Sequence, residues 1–364
     1  MVKEAETFDH CFVGQMSGTS ADGMDWVAIS STHQCLTHHS FPYTASLKQL
    51  IRHTLSNPED TQPLDQRLTE FCLDSFSRFR QSLAMPIHAV GLHGHTLNHE
   101  PAKGISTTLI QPQIIADQTG IPVVGHMRLD DIRAGGQGAP LAPLFHEQIF
   151  ANSDQNIGVL NLGGMANLTV LEKGKAVLGF DTGPGNTLLD AIARSRLTQA
   201  FDDRGQQAAQ GYVQSQWLNA MLDDVYFAQS PPKSTGIEYF NVSWLTERFE
   251  AYEAYSVQDQ LATLSALTTE SIHLAIEALP MTLDELIVCG GGAHNDLLIK
   301  NLTDQGLKVQ ISSDYGWPVS TVEGGAWAWL AKMRMERTYH DTRQLTGAKY
   351  PLPLGTIFHP NTGL

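Results

Sequence analysis

Residues 11–29 read Cys11-Phe12-Val13-Gly14-Gln15-Met16-Ser17-Gly18-Thr19-Ser20-Ala21-Asp22-Gly23-Met24-Asp25-Trp26-Val27-Ala28-Ile29. The stretch opens apolar, crosses a polar run of glycines, hydroxyls and aspartates, and turns apolar again at Trp26. That is the pattern of strand, tight turn, strand. Residues 157–171 repeat the plan: Ile157-Gly158-Val159-Leu160, then Asn161-Leu162-Gly163-Gly164-Met165-Ala166-Asn167, then Leu168-Thr169-Val170-Leu171. Two hairpins of one design point to an internal duplication. The halves then divide near residue 150, after the Gly- and Pro-bearing stretch Ala134 to Leu144. This gives an N-terminal lobe over 1–150 and a C-terminal lobe over 151–364, with the end of the chain free to pack back on the first lobe.

Between the hairpins, Leu68, Phe71, Cys72, Phe76 and Phe79 fall at helical spacing within Leu64 to Leu83, and Ala89 to Leu92 reads as a strand. Further on, 212–227, 261–279, 295–302 and 323–335 read as helices and Glu285 to Cys289 as a short buried strand. Strands alternating with helices predict an α/β protein. The chain has 364 residues, 42% hydrophobic and 17% charged, which is long enough for two packed domains and excludes a disordered or fibrous class. No low-complexity segment interrupts it.

Lys and Arg number 23 against 38 Asp and Glu, a net charge of −15. Such a surface repels nucleic acid and anionic membranes, so neither is expected as a partner. A phosphate ligand would have to be held locally, by backbone N–H groups in glycine-rich turns, a few basic side chains and a metal ion. Met1 to His10 carries Lys3, Glu4, Glu6 and Asp9 without an apolar core, so no signal peptide is expected. No apolar run reaches membrane-spanning length. Cys11, Cys35, Cys72 and Cys289 form no CxxC pair and read as reduced thiols, which fits a cytoplasmic location.

Four constellations can carry chemistry. In Gly18-Thr19-Ser20-Ala21-Asp22-Gly23-Met24-Asp25, glycines allow close approach to a phosphate, hydroxyls donate, and Asp22 or Asp25 can hold hydrated Mg²⁺. An ordinary polar hairpin turn is the alternative. In Phe180-Asp181-Thr182-Gly183-Pro184-Gly185-Asn186, an aspartate at a strand end can act as a general base, or it can cap the helix beginning near Thr187. Gly290-Gly291-Gly292, between a buried strand and a helix, lets a flat base or sugar lie against the backbone, with a purely structural strand-to-helix turn as the alternative. In Leu92 to His99, His93 and His95 share a strand face, which suits a polar substrate wall or, alternatively, zinc. Arg128, Asp130 and Asp131 beside Arg133 to Gly138, and Pro232-Lys233-Ser234-Thr235-Gly236, would suit an anionic sugar or phosphate, or simply form solvated loops.

Taken together, Gly14 to Asp25, Gly91 to Pro101 (GLHGHTLNHEP), Gly135 to Leu141 (GGQGAPL), Asn161 to Thr169 (NLGGMANLT), Phe180 to Asn186 (FDTGPGN), Pro232 to Gly236 (PKSTG) and Gly290 to Asn295 (GGGAHN) resemble the anhydro-N-acetylmuramic acid kinase family. The motifs run in order over essentially the whole chain. The resemblance implies the two-lobed actin-like ATPase fold, a duplicated ribonuclease H-like α/β architecture with ATP in the interlobe cleft. It also implies the reaction, in which ATP and water convert 1,6-anhydro-N-acetylmuramic acid to N-acetylmuramic acid 6-phosphate in cell-wall recycling, and a homodimeric assembly. Gly18 to Asp25, Gly163, Gly164 and Gly290 to Gly292 match ATP-binding turns, Asp181 the catalytic base, and Glu323 the glutamate that positions the attacking water. His93, His95, Thr96, Arg128, Gly183, Asn186 and Lys233 are the expected sugar contacts. The family usually has Gln at His95, Asp at His126, Arg at Ile237 and Ala at Gly324, so substrate range is less defined than reaction type. A nucleotide-driven clamp of the chaperone or actin type, without sugar chemistry, is the competing expectation.

Overall fold

The structure, a computed structural model, describes residues 10–18, 21–57, 60–249 and 251–361. Strands in chain order are β1 (Cys11–Ser17), β2 (Gly23–Ser30), β3 (Cys35–Pro42), β4 (Ile87–Glu100), β5 (Ile105–Leu109), β6 (Val123–Gly125), β7 (Ile157–Leu162), β8 (Met165–Glu172), β9 (Lys175–Pro184), β10 (Glu285–Cys289), β11 (Val309–Ile311) and β12 (Thr356–Phe358). The helices are α1 (Ala45–Ser56), α2 (Gln62–Arg80), α3 (Pro112–Thr119), α4 (Met127–Arg133), α5 (Ala142–Phe150), α6 (Thr187–Ile192), α7 (Ser215–Leu222), α8 (Val242–Arg248), α9 (Val257–Glu277), α10 (Asp296–Asp304), α11 (Val322–Met335) and α12 (Arg343–Thr346). Among the described residues no helix is long and apolar enough to cross a membrane.

The chain forms two compact units, one of residues up to Phe145 together with those from Thr321 onward, the other His146–Ser320. The segment from Thr321 therefore groups with the first unit rather than with the rest of 151–364. In the first unit the sheet order is β12-β6-β4-β1-β2-β3, with β5 pairing along β4. In the second it is β11-β10-β7-β8-β9. Each therefore contains an antiparallel three-strand meander whose first strand is extended by parallel neighbours: β4 beside β1, and β10 beside β7. The repeated hairpin in the sequence is the start of a repeated sheet, the ribonuclease H-like plan used twice.

In the first unit, β1 is buried on both faces. Cys11 and Val13 enter a core with Trp26 of β2 and Leu64, Leu68, Cys72, Phe76 and Phe79 of α2, all 2% exposed or less. Four of these α2 positions, Leu68, Cys72, Phe76 and Phe79, belong to the helical stripe read from the sequence; its fifth member, Phe71, is partly buried against the same core. Trp26 donates its indole N–H to Ser75 Oγ at 2.9 Å, so the buried ring leaves no orphan donor. On the other face α11 lies with its backbone almost on the sheet. A Cβ at Gly14 would stand 1.9 Å from the Gly324 carbonyl oxygen, and one at Gly91 2.0 Å from that of Trp327. Only glycine fits at either place.

The second unit packs β7 and β8 against α9 through Leu160, Leu168, Leu261, Leu264 and Ile272. Ser256 caps α9, accepting from the Asp259 amide at 3.1 Å, and Asn295 caps α10 in the same way. The helix read over 212–227 is shorter, because α7 ends at Leu222. Past it the Asp224 carboxylate draws the Tyr226 amide, at 2.8 Å, out of helical pairing.

Candidate functional site

In the first unit the turn between β1 and β2 closes with the Ala21 amide donating to the Gly18 carbonyl at 3.1 Å; Thr19 and Ser20 lie outside the described residues. Met24 is a core residue, fully buried under α2, and not a ligand contact. Asp22 is exposed and pairs with Lys48 at 3.3 Å. Asp25 is half-buried and accepts from Ser40 Oγ of β3; burial raises its pKa, against the opposing pull of Ser40 and His38. Gly23 sits where a Cβ would meet the Phe41 carbonyl oxygen at 2.6 Å, so it serves strand pairing.

β4 runs parallel to β1 with Leu92 beside Gln15 and His95 beside Ser17, so one extra residue enters β4 in between. Gly94, at φ +76°, makes this bulge possible, and its amide donates to Gln15 Oε1 at 2.9 Å. The bulge corrects the reading that His93 and His95 share a face. His95 turns toward the α2 core, with Nδ1 2.9 Å from Ser17 Oγ, which in turn lies 2.7 Å from Tyr43 Oη. His93 turns the other way and packs on Trp327 of α11, ring centroids 4.6 Å apart. A shared zinc ion is thereby ruled out for this pair, and His95 is a support under the first turn.

Arg128 of α4 reaches the His93 side. Its Nη1 donates to the Gly138 carbonyl at 3.0 Å, its Nη2 to His93 Nε2 at 3.2 Å, and the guanidinium lies over the Trp327 ring at 5.4 Å. His93 Nδ1–H then donates to the Gly94 carbonyl at 3.1 Å, a neutral tautomer consistent with a pKa held well below the usual value by burial and by Arg128. Burial also lowers Arg128, to about 10, while Glu323 and Asp131 oppose that shift. Arg128 Nε is buried without a partner among the described residues. His93, His126, Arg128 and Trp327 line one recess with Ser106 and Thr108. Thr96 lies further along β4, its hydroxyl also unpartnered.

Asp130 and Asp131 are structural. Asp131, fully buried, accepts from the Gly138 amide at 2.7 Å and from Thr342 and Thr346 hydroxyls at 2.6 and 2.8 Å, tying the glycine loop to α12. Asp130 accepts from the Gly355 amide at 2.9 Å. Glu323 is exposed in the first turn of α11. Gly324, where the family carries alanine, faces Val27, whose Cγ2 would be 2.5 Å from an added methyl, so the departure is a packing exchange.

In the second unit Asp181 stands near the end of β9, half-buried. Its Oδ2 accepts from the Thr235 amide at 2.9 Å and Ser234 Oγ at 3.1 Å. The helix-capping alternative fails: Asn186 is the N-cap residue of α6, and Asp181 bonds elsewhere. Burial raises the Asp181 pKa, the Thr235 and Ser234 hydrogen bonds lower it, and Glu238 raises it further. Lys233 places its ammonium on the Tyr226 and Phe227 carbonyls at 3.2 and 3.4 Å and over the Tyr226 ring at 4.8 Å. Asn186 uses its amide NH₂ on the Leu162 and Gly163 carbonyls, at 3.1 and 2.9 Å, and so locks the β7–β8 turn to the start of α6. Gly183 packs on Phe227 and Ser271.

The glycines of the second unit divide by what surrounds them. Gly290, at φ +81°, would drive a Cβ within 2.2 Å of Asn161 Oδ1, and Gly292 within 2.6 Å of Leu162 Cβ. Gly164 and Gly291 face open space, and Gly163 has only an ordinary contact at 3.5 Å. Gly164 and Gly291 leave backbone accessible to a ligand, whereas the Gly163 amide donates to the Met165 carbonyl at 3.1 Å and its carbonyl accepts from Asn186. Sequence reasoning missed Trp327 and Tyr226, whose hydroxyl donates to the Asp181 carbonyl at 2.7 Å. An aromatic residue in a helix or after one reads as core, and nothing in its spacing separates the two roles.

The family profile described as anhydro-N-acetylmuramic acid kinase matches residues 10–360. The chain is 37% identical to the anhydro-N-acetylmuramic acid kinase of Pseudomonas fluorescens (strain Pf0-1), over 96% of this chain and 99% of the relative. It is 38% identical to the proteins of that name from Haemophilus influenzae, covering 95% and 97%, and Pasteurella multocida, covering 98% of each. Among solved structures, a ROK family glucokinase from Streptomyces griseus with glucose and AMPPNP aligns at 13% identity and a TM-score of 0.43, over 89% of this chain and 99% of that one. Full-length coverage at this identity decides the matter: the chain belongs to the anhydro-N-acetylmuramic acid kinase family.

Proposed function

We propose that the chain uses ATP and water to open the 1,6-anhydro ring of 1,6-anhydro-N-acetylmuramic acid and phosphorylate O6, giving N-acetylmuramic acid 6-phosphate and ADP in cytoplasmic cell-wall recycling. The observation that carries the reading is the setting of Asp181, a half-buried carboxylate with two donors on Oδ2 and, among the described residues, none on Oδ1. That is the arrangement of a general base held by one oxygen and free at the other. Asp181 takes a proton from water as the water oxygen bonds to the anomeric carbon and the bond from that carbon to O6 breaks. O6 bonds to the γ-phosphorus, and the bond to the β-phosphate oxygen breaks to release ADP. Negative charge developing on O6 is consumed in the transfer, so no strong separate acid is needed.

Backbone amides of the turn from Gly18 to Asp22 and at Gly164 are the proposed donors to the phosphates, with Gly290 to Gly292 against the nucleoside. Glu323 orients the water. Arg128, with His93 kept neutral beside it, is the cation for the carboxylate of the sugar acid. Asp22 and Asp25 offer hard oxygen donors, which fits partly hydrated Mg²⁺. Asp22 is paired with a cation, Lys48, whereas the Asp25 carboxylate is held, among the described residues, only by the Ser40 hydroxyl, so Asp25 is the proposed holder of the ion. Bound there, Mg²⁺ neutralises phosphate charge.

Mass spectrometry after mixing the protein with ATP, Mg²⁺ and the anhydro sugar tests the reading. The product should be heavier than the substrate by one water and one phosphoryl group. In ¹⁸O-water the label should enter the anomeric hydroxyl; label in the phosphate ester would overturn the coupled route.

A further inference from the structure

One loop holds Asp181 at its amide, its carbonyl and one carboxylate oxygen. The Asp181 amide donates to the Lys233 carbonyl at 3.1 Å, its carbonyl accepts from Tyr226 Oη at 2.7 Å, and Oδ2 accepts from Thr235 N–H and Ser234 Oγ. The base of the loop is itself fixed. The side chain of Asp224, shielded from solvent, accepts from the Tyr226 amide, Tyr239 Oη and Trp244 Nε1, each at 2.8 Å, and pairs with Arg248. A loop anchored in this way presents its donors at set positions rather than following the carboxylate. Thr235 contributes a backbone amide that substitution leaves in place. Ser234 contributes the removable side-chain donor, and it is exposed, so nothing in the core depends on it.

We propose that Ser234 is a positioning residue for the reaction: together with the Thr235 amide it occupies Oδ2 of Asp181, fixing the carboxylate plane and leaving Oδ1 to take the proton from water. This rests on Asp181 being the base. A donor to the ionised form also counters the burial and the Glu238 charge that make ionisation harder, while the Tyr226 hydroxyl is spent on the Asp181 main-chain carbonyl and the Lys233 ammonium on the Tyr226 and Phe227 carbonyls.

Single-turnover rates and the pH profile of kcat/KM for the sugar, measured at saturating ATP and Mg²⁺ on Ser234→Ala and Ser234→Thr, test the assignment. In Ser234→Ala the acid limb should move up by about half a pH unit or more and the neutral-pH rate fall ~3- to 10-fold. The KM for ATP should hold, and Ser234→Thr should restore both. An acid limb that stays in place with a rate within about twofold overturns the proposal. Asp181→Asn is assayed beside them: if it retains near-normal turnover, the base reading itself fails and this proposal with it. If it is inactive while Ser234→Ala is unchanged, only the role of Ser234 is lost.

Discussion

Asp181 sits under opposing influences, burial and Glu238 against the Thr235 and Ser234 donors, and burial prevails, so its pKa lies above the ordinary aspartate value. A base works only when deprotonated. The kcat/KM for the sugar should therefore fall as pH drops through that raised value, and Asp181→Asn should keep ATP binding while lowering turnover by ~10²-fold or more. Isothermal titration with a non-hydrolysable ATP analogue and a turnover assay check the two halves of this expectation. Asp25 belongs to the same scale: Asp25→Asn should raise the Mg²⁺ concentration for half-maximal activity ~10-fold, whereas Asp22→Asn, which only frees Lys48, should move it little. That Asp181 lies on a strand just ahead of a Gly-Pro-Gly turn was legible in the sequence; whether it caps the next helix was not, and the structure gives that place to Asn186. The partners of Asp181 were not legible either, because Thr235 lies 54 residues along the chain and no local pattern joins them. The histidine pair misled for a related reason. A regular strand puts alternate residues on one face, and only the paired register reveals the extra residue that Gly94 inserts.

Elements carry the difference between glycines that pack and glycines that leave room. Both kinds read alike in sequence, which is why Gly290 to Gly292 could be read as a ligand platform or as a structural turn but not divided between the two. In the structure two of the three are needed for contact with Asn161 and Leu162. Gly14 and Gly91, to which the sequence pattern assigns no packing role, are what let α11 rest on β1 and β4. Gly14→Ala should destabilise the protein by about 3 kcal/mol or more, since a methyl 1.9 Å from a carbonyl oxygen cannot be relieved by a rotamer change. Gly164→Ala should leave the melting temperature nearly unchanged and instead raise the KM for ATP, because its Cβ enters open space at a turn proposed to meet phosphate. Thermal melts and ATP kinetics on the two variants separate these roles. A stable Gly14→Ala protein would mean that α11 stands further from the sheet. α2 was legible because its periodicity reports burial directly, and the hairpins and β10 because continuous apolar runs meet glycine-rich turns. The short α7 was not, because the sequence shows an apolar stripe but not the Asp224 side chain that ends it.

At the scale of the whole molecule, the pH dependence of stability follows from imidazoles buried in neutral form in both units. His95 is brought down to about 4 and His146 to about 3 by burial, and His93 also lies well below its usual value. Between pH 6.5 and about 4 the unfolded chain binds protons that these sites refuse when folded. Stability therefore rises with pH across that window and is lost as pH falls through it. The His95 contribution alone is about 2 kcal/mol at pH 5. This loss begins above the carboxylate range, so it is distinguishable from ordinary acid unfolding of a chain with net charge −15. His95→Gln, which restores the residue usual in the family, keeps a group able to bond Ser17 Oγ and removes the titration. Its denaturant midpoint should match that of the parent near pH 7.5 and exceed it at pH 5. Parallel pH curves for the two proteins would mean that His95 takes up its proton in the folded state, and that the contact with Ser17 and Tyr43 opens readily enough to admit water.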